Sequence, residues 1–220
     1  MNPIVKAITI SRIIQRGEGR ELIKELVKRT YANDVSYILR RDLKIPLTPH
    51  PVAKIPIKVR PIRRDDVPII VAERPRRLPA LRADIPTCYV GCTESGAICY
   101  TQWLIASEQQ QRLKTHFKGQ LSPYDRDTVL LEFAYTFEQY RGQGIMADAM
   151  AQIAEKGIGL GARWAITYVE HDNVASLKGC ARAGFRPYML RFEKWRGLHL
   201  SQSFDLLPEG SLYPFEHLDR

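Results

Sequence analysis

Between residues 18 and 29 apolar side chains recur at helical spacing. Leu22, Ile23, Leu26 and Val27 lie among Arg20, Glu21, Lys24, Glu25 and Lys28, which is the stripe of an amphipathic helix. Val35, Ile38, Leu39 and Leu43 continue the period and predict a second short helix over 35–43. Pro46, Pro49, Pro51 and Pro56 then follow within eleven residues, a density that neither a helix nor a central strand accepts. A boundary is therefore expected near 46–55. Residues 1–54 are read as a helical extension with a proline-rich linker, outside the main sheet.

After the linker the pattern turns to alternating strands and helices. Ile57 to Arg60 alternates as a strand, and Asp65 is placed to cap a helix from Val67 to Ala72. Thr87–Cys92 and Ala97–Ile105 are strands joined by the hairpin signal Thr93-Glu94-Ser95-Gly96. A strand over Thr128–Phe137 leads to Arg141-Gly142-Gln143-Gly144 and an alanine- and methionine-rich helix from Ile145 to about Ile158. Arg163–Val169 is an apolar strand. Asn173 opens a helix that stops at Gly184, and strands through Trp195 and Ser203–Leu207 close the chain.

Composition narrows the classes. With 220 residues, 45% hydrophobic and 26% charged, the chain can bury a core without disulfides or metals. The longest uncharged stretch, Ser95 to Ser107, is too short to span a membrane, and the first residues lack the apolar run of a secretory signal. Cys88, Cys92, Cys99 and Cys180 show no zinc-ligand spacing, so reduced thiols in a cytoplasmic protein are expected. The net charge of +9 is unevenly placed: residues 1–82 hold 19 basic and 8 acidic side chains. That asymmetry points to an anionic partner or to a solvated face, and the two stay open.

A strand, a glycine turn and a helix form an arrangement that holds phosphate, because glycines expose consecutive N–H groups and the helix start adds positive charge. No Lys-Ser or Lys-Thr follows Gly144, so this is not a nucleotide triphosphatase loop. No third glycine makes it a dinucleotide fingerprint either.

Arg141-Gly142-Gln143-Gly144, then Asn173-x-x-Ser176, then Ala183-Gly184-Phe185 resembles the Gcn5-related N-acetyltransferase (GNAT) superfamily over roughly residues 57–207. The resemblance implies an α/β fold with a mixed, mostly antiparallel central sheet, a V-shaped splay and flanking helices. The acyltransferase domain would cover 55–208, with 209–220 as a C-terminal tail. It implies acetyl-coenzyme A as acyl donor, with its pyrophosphate held at Arg141, Gly142, Gln143, Gly144, Ile145 and Met146. Phe137 would join that donor site, and Asn173 and Ser176 would sit near the pantetheine arm. Met146 departs from the family pattern, which has Gly or Ala there.

Acyl transfer to an amine needs a base for the ammonium proton, a proton donor for the departing thiolate and a polarised carbonyl. Glu132 is the base candidate, expected to share a strand face with Ala134 and Thr136. Its place resembles that of a glutamate base in polyamine acetyltransferases, and a structural pair with an arginine is the alternative. Cys180 stands where many relatives carry an acidic tyrosine, so it is either the proton donor or a small buried residue. Tyr168 and Tyr188 are substitute acids.

Arg60, Arg63, Arg64, Arg74, Arg76, Arg77 and Arg82 lie in a region that in the family helps form the acceptor side. An anionic or zwitterionic amine, or an acidic protein partner such as an acyl carrier protein, is therefore expected. Three functions compete: an acetyl-coenzyme A-dependent N-acetyltransferase, an N-acyltransferase using longer acyl donors, and a non-catalytic coenzyme A-binding module. Aromatics are not interleaved with the basic residues, which speaks against nucleic acid. A homodimer is left open.

Overall fold

A computed structural model describes residues 33–73, 87–110, 124–196 and 199–217. The helix expected over 18–29 and Arg74, Arg76, Arg77 and Arg82 lie outside the described residues. Eight strands form one sheet: β1 (Asn33–Asp42), β2 (Ile57–Pro61), β3 (Cys88–Thr93), β4 (Ile98–Ile105), β5 (Thr128–Thr136), β6 (Trp164–Glu170), β7 (Arg186–Arg196) and β8 (His199–Leu206). Their order is β2-β3-β4-β5-β6-β1-β7-β8. Among the described residues three α-helices accompany them: α1 (Asp66–Glu73), α2 (Ile145–Lys156) and α3 (Val174–Arg182). No helix among the described residues is long and apolar enough to cross a membrane.

The mixed α/β architecture and nearly every element after residue 57 fall where periodicity placed them. Residues 35–43 do not form the expected helix. They belong to β1, an interior strand between β6 and β1's other neighbour, β7. An interior strand buries both faces, so adjacent Ile38 and Leu39 are both buried, and the i, i+3, i+4 spacing of a helix is imitated by chance. Val35, Tyr37 and Ile38 favour the strand. Residues 33–42 thus lie within the sheet and not in an appended extension.

The chain divides into two compact units. One comprises Met1–Ser36 with Leu190–Asp205, the other Tyr37–Met189 with Leu206–Arg220. In the smaller unit, Arg191 is ion-paired with Glu193 at 3.4 Å and donates to Ser36 Oγ. Gln202 Nε2 donates to Glu193 Oε1 at 2.6 Å.

The larger unit holds the core and the candidate site. On one sheet face Leu39, Tyr100, Leu104, Leu131 and Ala165 pack with Met150 and Ile153 of α2 and Leu177 of α3. On the other, Ile38, Trp103, Ile105, Leu130 and Ile166 meet Phe133, Tyr168 and Tyr188. The C-terminal segment is anchored, because buried Tyr213 donates its hydroxyl to the Phe185 carbonyl at 2.8 Å. Asp66, not Asp65, organises the start of α1: it accepts from the Arg63 N–H at 2.6 Å and holds Arg60 through two hydrogen bonds of 2.6 and 2.9 Å.

Two features shape the site. Parallel β5 and β6 pair only at Thr128–Trp164, Val129–Ala165 and Leu130–Ile166, although β5 runs on to Thr136 and β6 to Glu170. Beyond Leu130 the two strands part in the expected V. The second feature is a bulge in β5. Thr101 pairs Tyr135 and Trp103 pairs Glu132, so Phe133 and Ala134 together oppose Gln102. Phe133 takes up the extra residue with φ of 60°.

Candidate active site

A cavity of about 610 Å³ is walled by the end of β5, the glycine turn, the first turn of α2 and one face of α3. The glycine turn is built for its job. Gly142 and Gly144 have φ of 76° and 77°, a left-handed conformation that side chains disfavour by about 1–2 kcal/mol. Gly144 is the N-cap of α2, whose first-turn N–H groups have no carbonyl partners within the helix. They face a site that carries the positive end of the helix.

The proline-rich linker supports this turn. The Lys54 N–H donates to the Gln143 carbonyl at 2.8 Å, and the Ala53 N–H donates to Asp148 Oδ2 at 2.9 Å. Asp148 is buried on α2 and also receives Gln152 Nε2 at 2.8 Å. The linker is thus a brace for the start of α2.

Of the expected donor residues, Arg141, Gly142, Gly144, Ile145, Met146, Asn173 and Ser176 all line the cavity. Gln143 contributes to the turn through its carbonyl. Phe137 is not brought to the cavity; it is buried with Ile70, Val90 and Ile98 under α1. Asn173 Oδ1 accepts from the Ser176 N–H at 3.1 Å as the cap of α3. Arg141 is exposed and paired with Glu138 at 3.2 Å, a contact weak enough to yield to a phosphate. Met146 crosses toward α3: a Cβ on Gly179 would come within 2.8 Å of its sulfur. The large residue is accommodated because the facing helix carries glycine.

Lys178 and Arg182 also line the cavity, and neither belongs to the sequence motifs. Ala175, Lys178, Gly179 and Arg182 follow helical spacing, and that periodicity is the signal that would have marked them.

The catalytic candidates separate. The bulge overturns the expectation that Glu132 shares a face with Ala134 and Thr136. Ala134 and Thr136 line the cavity, whereas Glu132 lies before the extra residue and opposite Trp103, on the far face. Tyr168 and Tyr188 stand on that same far face, packed with Trp103 and Phe133. Tyr124 joins them, donating its hydroxyl to the Ile105 carbonyl at 3.2 Å. Burial pushes the Tyr124 hydroxyl upward, reinforced by the nearby Tyr168 and Glu132 charges.

Cys180 is not brought to the cavity. It is fully buried, with Sγ 3.8 Å from Met150 Sδ. Burial, then the Glu132 charge, pushes its thiol up to about 12, which suits a core residue and not a proton donor near neutrality. Arg60 is likewise committed, to Asp66.

No protein-family model and no curated protein matches the chain. Solved structures do. An acetyltransferase of the GNAT family from Colwellia psychrerythraea superposes with a TM-score of 0.53 at 15% identity, over 82% of this chain and 59% of its own. A GCN5-related glucosamine N-acetyltransferase region of a fungal multi-domain beta-N-acetylglucosaminidase gives 0.53 at 15% identity, over 84% of this chain and 23% of its own. The chain has the GNAT fold. It spans less than two thirds of either neighbour's length.

Proposed function

We propose that the chain is an N-acetyltransferase that moves an acetyl group from acetyl-coenzyme A directly to a primary amine. One observation carries the reading: the glycine turn, the α2 start, the end of β5 and one face of α3 border a single cavity.

The residues present suit that donor. Gly142 and Gly144 leave a backbone cradle for a pyrophosphate, and Arg141, Lys178 and Arg182 supply positive charge around it. Ala134, Ala147, Ala175 and Gly179 keep part of the lining small, which leaves room for a linear amide-containing arm. A thioester brings an acyl carbonyl open to attack by a neutral amine. Glu132, on the far face of β5, takes the proton from the arriving ammonium. The bulge sets Phe133 and Ala134 together opposite Gln102, and a backbone N–H of this stretch is the group proposed to polarise the carbonyl. Tyr168 is the proton donor that this arrangement favours, since Cys180 is sealed in the core. Free, buried cysteines fit a reducing compartment such as the cytoplasm.

Calorimetry with acetyl-coenzyme A and thiol release over a panel of amines test the reading. Micromolar donor binding is expected, with amine-dependent thiol release that Glu132→Gln abolishes. No donor binding would overturn it. Binding without turnover would leave a non-catalytic module, and an acyl chain longer than acetyl in the purified protein would shift the donor.

A further inference from the structure

Among the described residues, the far face of the sheet carries a cation with no ion-pair partner. Arg40, on β1, is half-buried with its guanidinium carbon 4.1 Å from the Trp164 ring centre and 4.0 Å from that of Tyr188. Arg163 also approaches Trp164, at 4.6 Å, but is paired with Asp42 at 3.2 Å. The other half-buried or buried arginines of this unit have oxygen partners: Arg41 reaches Glu155 at 2.7 Å and Arg60 reaches Asp66 at 2.6 Å. Among the described residues Arg40 has neither a hydrogen bond nor an ion pair.

The chemistry of that contact is directional. A guanidinium is planar and its five N–H donors lie in the plane. Rings at about 4 Å occupy its faces and leave the edge as the part able to bind. A partly desolvated guanidinium with an open edge matches a carboxylate or a phosphate, which accept two parallel N–H bonds.

Position adds a length. Arg40 stacks on Trp164, which pairs with Thr128, and Glu132 lies four residues further along β5 on the same face. At the rise of a strand that separation is about 13 Å. Ile166 and Tyr168 lie between, so the intervening surface is apolar and aromatic.

We propose that Arg40 binds an anion, and, resting on the acyl-transfer reading, that this anion is the far end of the acceptor. The acceptor is then an elongated molecule with an amine at one end, an apolar middle and a carboxylate or phosphate at the other. The arginines first assigned to anion recognition are not needed for this: Arg60 is occupied by Asp66, and Arg40 takes the role.

The test begins without coenzyme A. The Nε–H signals of the arginines are followed by NMR during titration with glutarate and with inorganic phosphate, the Arg40 signal being assigned by its loss in Arg40→Gln. A saturable shift of that signal alone is expected; a linear drift shared by all arginines overturns the site. Turnover is then compared for ω-amino carboxylates of increasing length and their neutral amides. The carboxylates are expected to have a KM about tenfold lower, with an optimum length, and Arg40→Gln is expected to equalise the pair without lowering kcat. Should Arg40→Gln not fold, Arg40→Met keeps an apolar stem between the rings and serves the same comparison. Equal KM values in the unaltered protein, or a preference that survives both substitutions, overturn the acceptor assignment. Absent donor binding defeats the acyl-transfer reading and with it the acceptor, while the NMR titration still judges Arg40 as an anion site.

Discussion

On the proposed reading, the helix side of the parted strands recognises its ligand through main-chain amides of the glycine turn and the α2 start, with Arg141, Lys178 and Arg182 around them. The far side would use side chains, Glu132, Tyr168 and Arg40, set in an aromatic surface. A backbone site is sensitive to conformation and tolerant of side-chain identity. A side-chain site has the opposite sensitivities. One strand, β5, separates them, and its bulge at Phe133 assigns Glu132 to one side and Ala134 to the other.

The largest effect is expected from Glu132→Gln, which should lower kcat by about 10²- to 10⁴-fold. Acetyl-coenzyme A affinity by calorimetry should stay unchanged; an equal loss of donor binding would erase the division between faces. Gly144→Val comes next. Its left-handed position costs a side chain about 1–2 kcal/mol, and donor affinity should fall about tenfold or more, with kcat at saturating donor retained. Arg141→Gln should weaken donor binding by less than about tenfold, because the amides carry the contact and an exposed charge adds little. A loss larger than that of Gly144→Val would show the donor site to be a side-chain site after all.

The smallest effect concerns neither face. Folding raises the Cys180 thiol from 9.0 to about 12, so the folded state holds its proton where the unfolded chain has released it. Its contribution to stability is complete below pH 9 and is lost as pH rises toward 12. The fall in Tm between pH 8 and 11 should be shallower in Cys180→Ala, and iodoacetamide should not alkylate the folded protein at neutral pH. Rapid alkylation would return Cys180 to the list of reactive groups.

Much of the cavity's lining was legible because its groups are close in sequence. Arg141 to Met146 and Asn173 to Ser176 are local motifs, and their turn and cap follow from glycine and asparagine chemistry. The far face is assembled from distant segments. Nothing near Arg40 announces that Trp164 and Tyr188 will enclose it, and nothing in Phe133, which is not a glycine, announces a positive φ. The misreading of residues 35–43 has the same origin, since a strand covered on both faces loses the alternation that marks a strand. Glu132 and Tyr168 are candidates through a resemblance and through residue type, and the face they share is seen only in the structure.

The position of β1 bears on how the chain acquires its shape. The Leu43 N–H, just after it, donates to the Arg163 carbonyl at 2.7 Å, and Arg41 within it reaches the Ala183 carbonyl at 3.3 Å. These partners emerge from a ribosome long after β1, at rates of about 5–20 residues per second. Contacts of such range slow folding. For several seconds of synthesis an early, strand-forming segment with two apolar faces has no place to dock. The sheet is therefore completed from its middle, by the described strand that was made first.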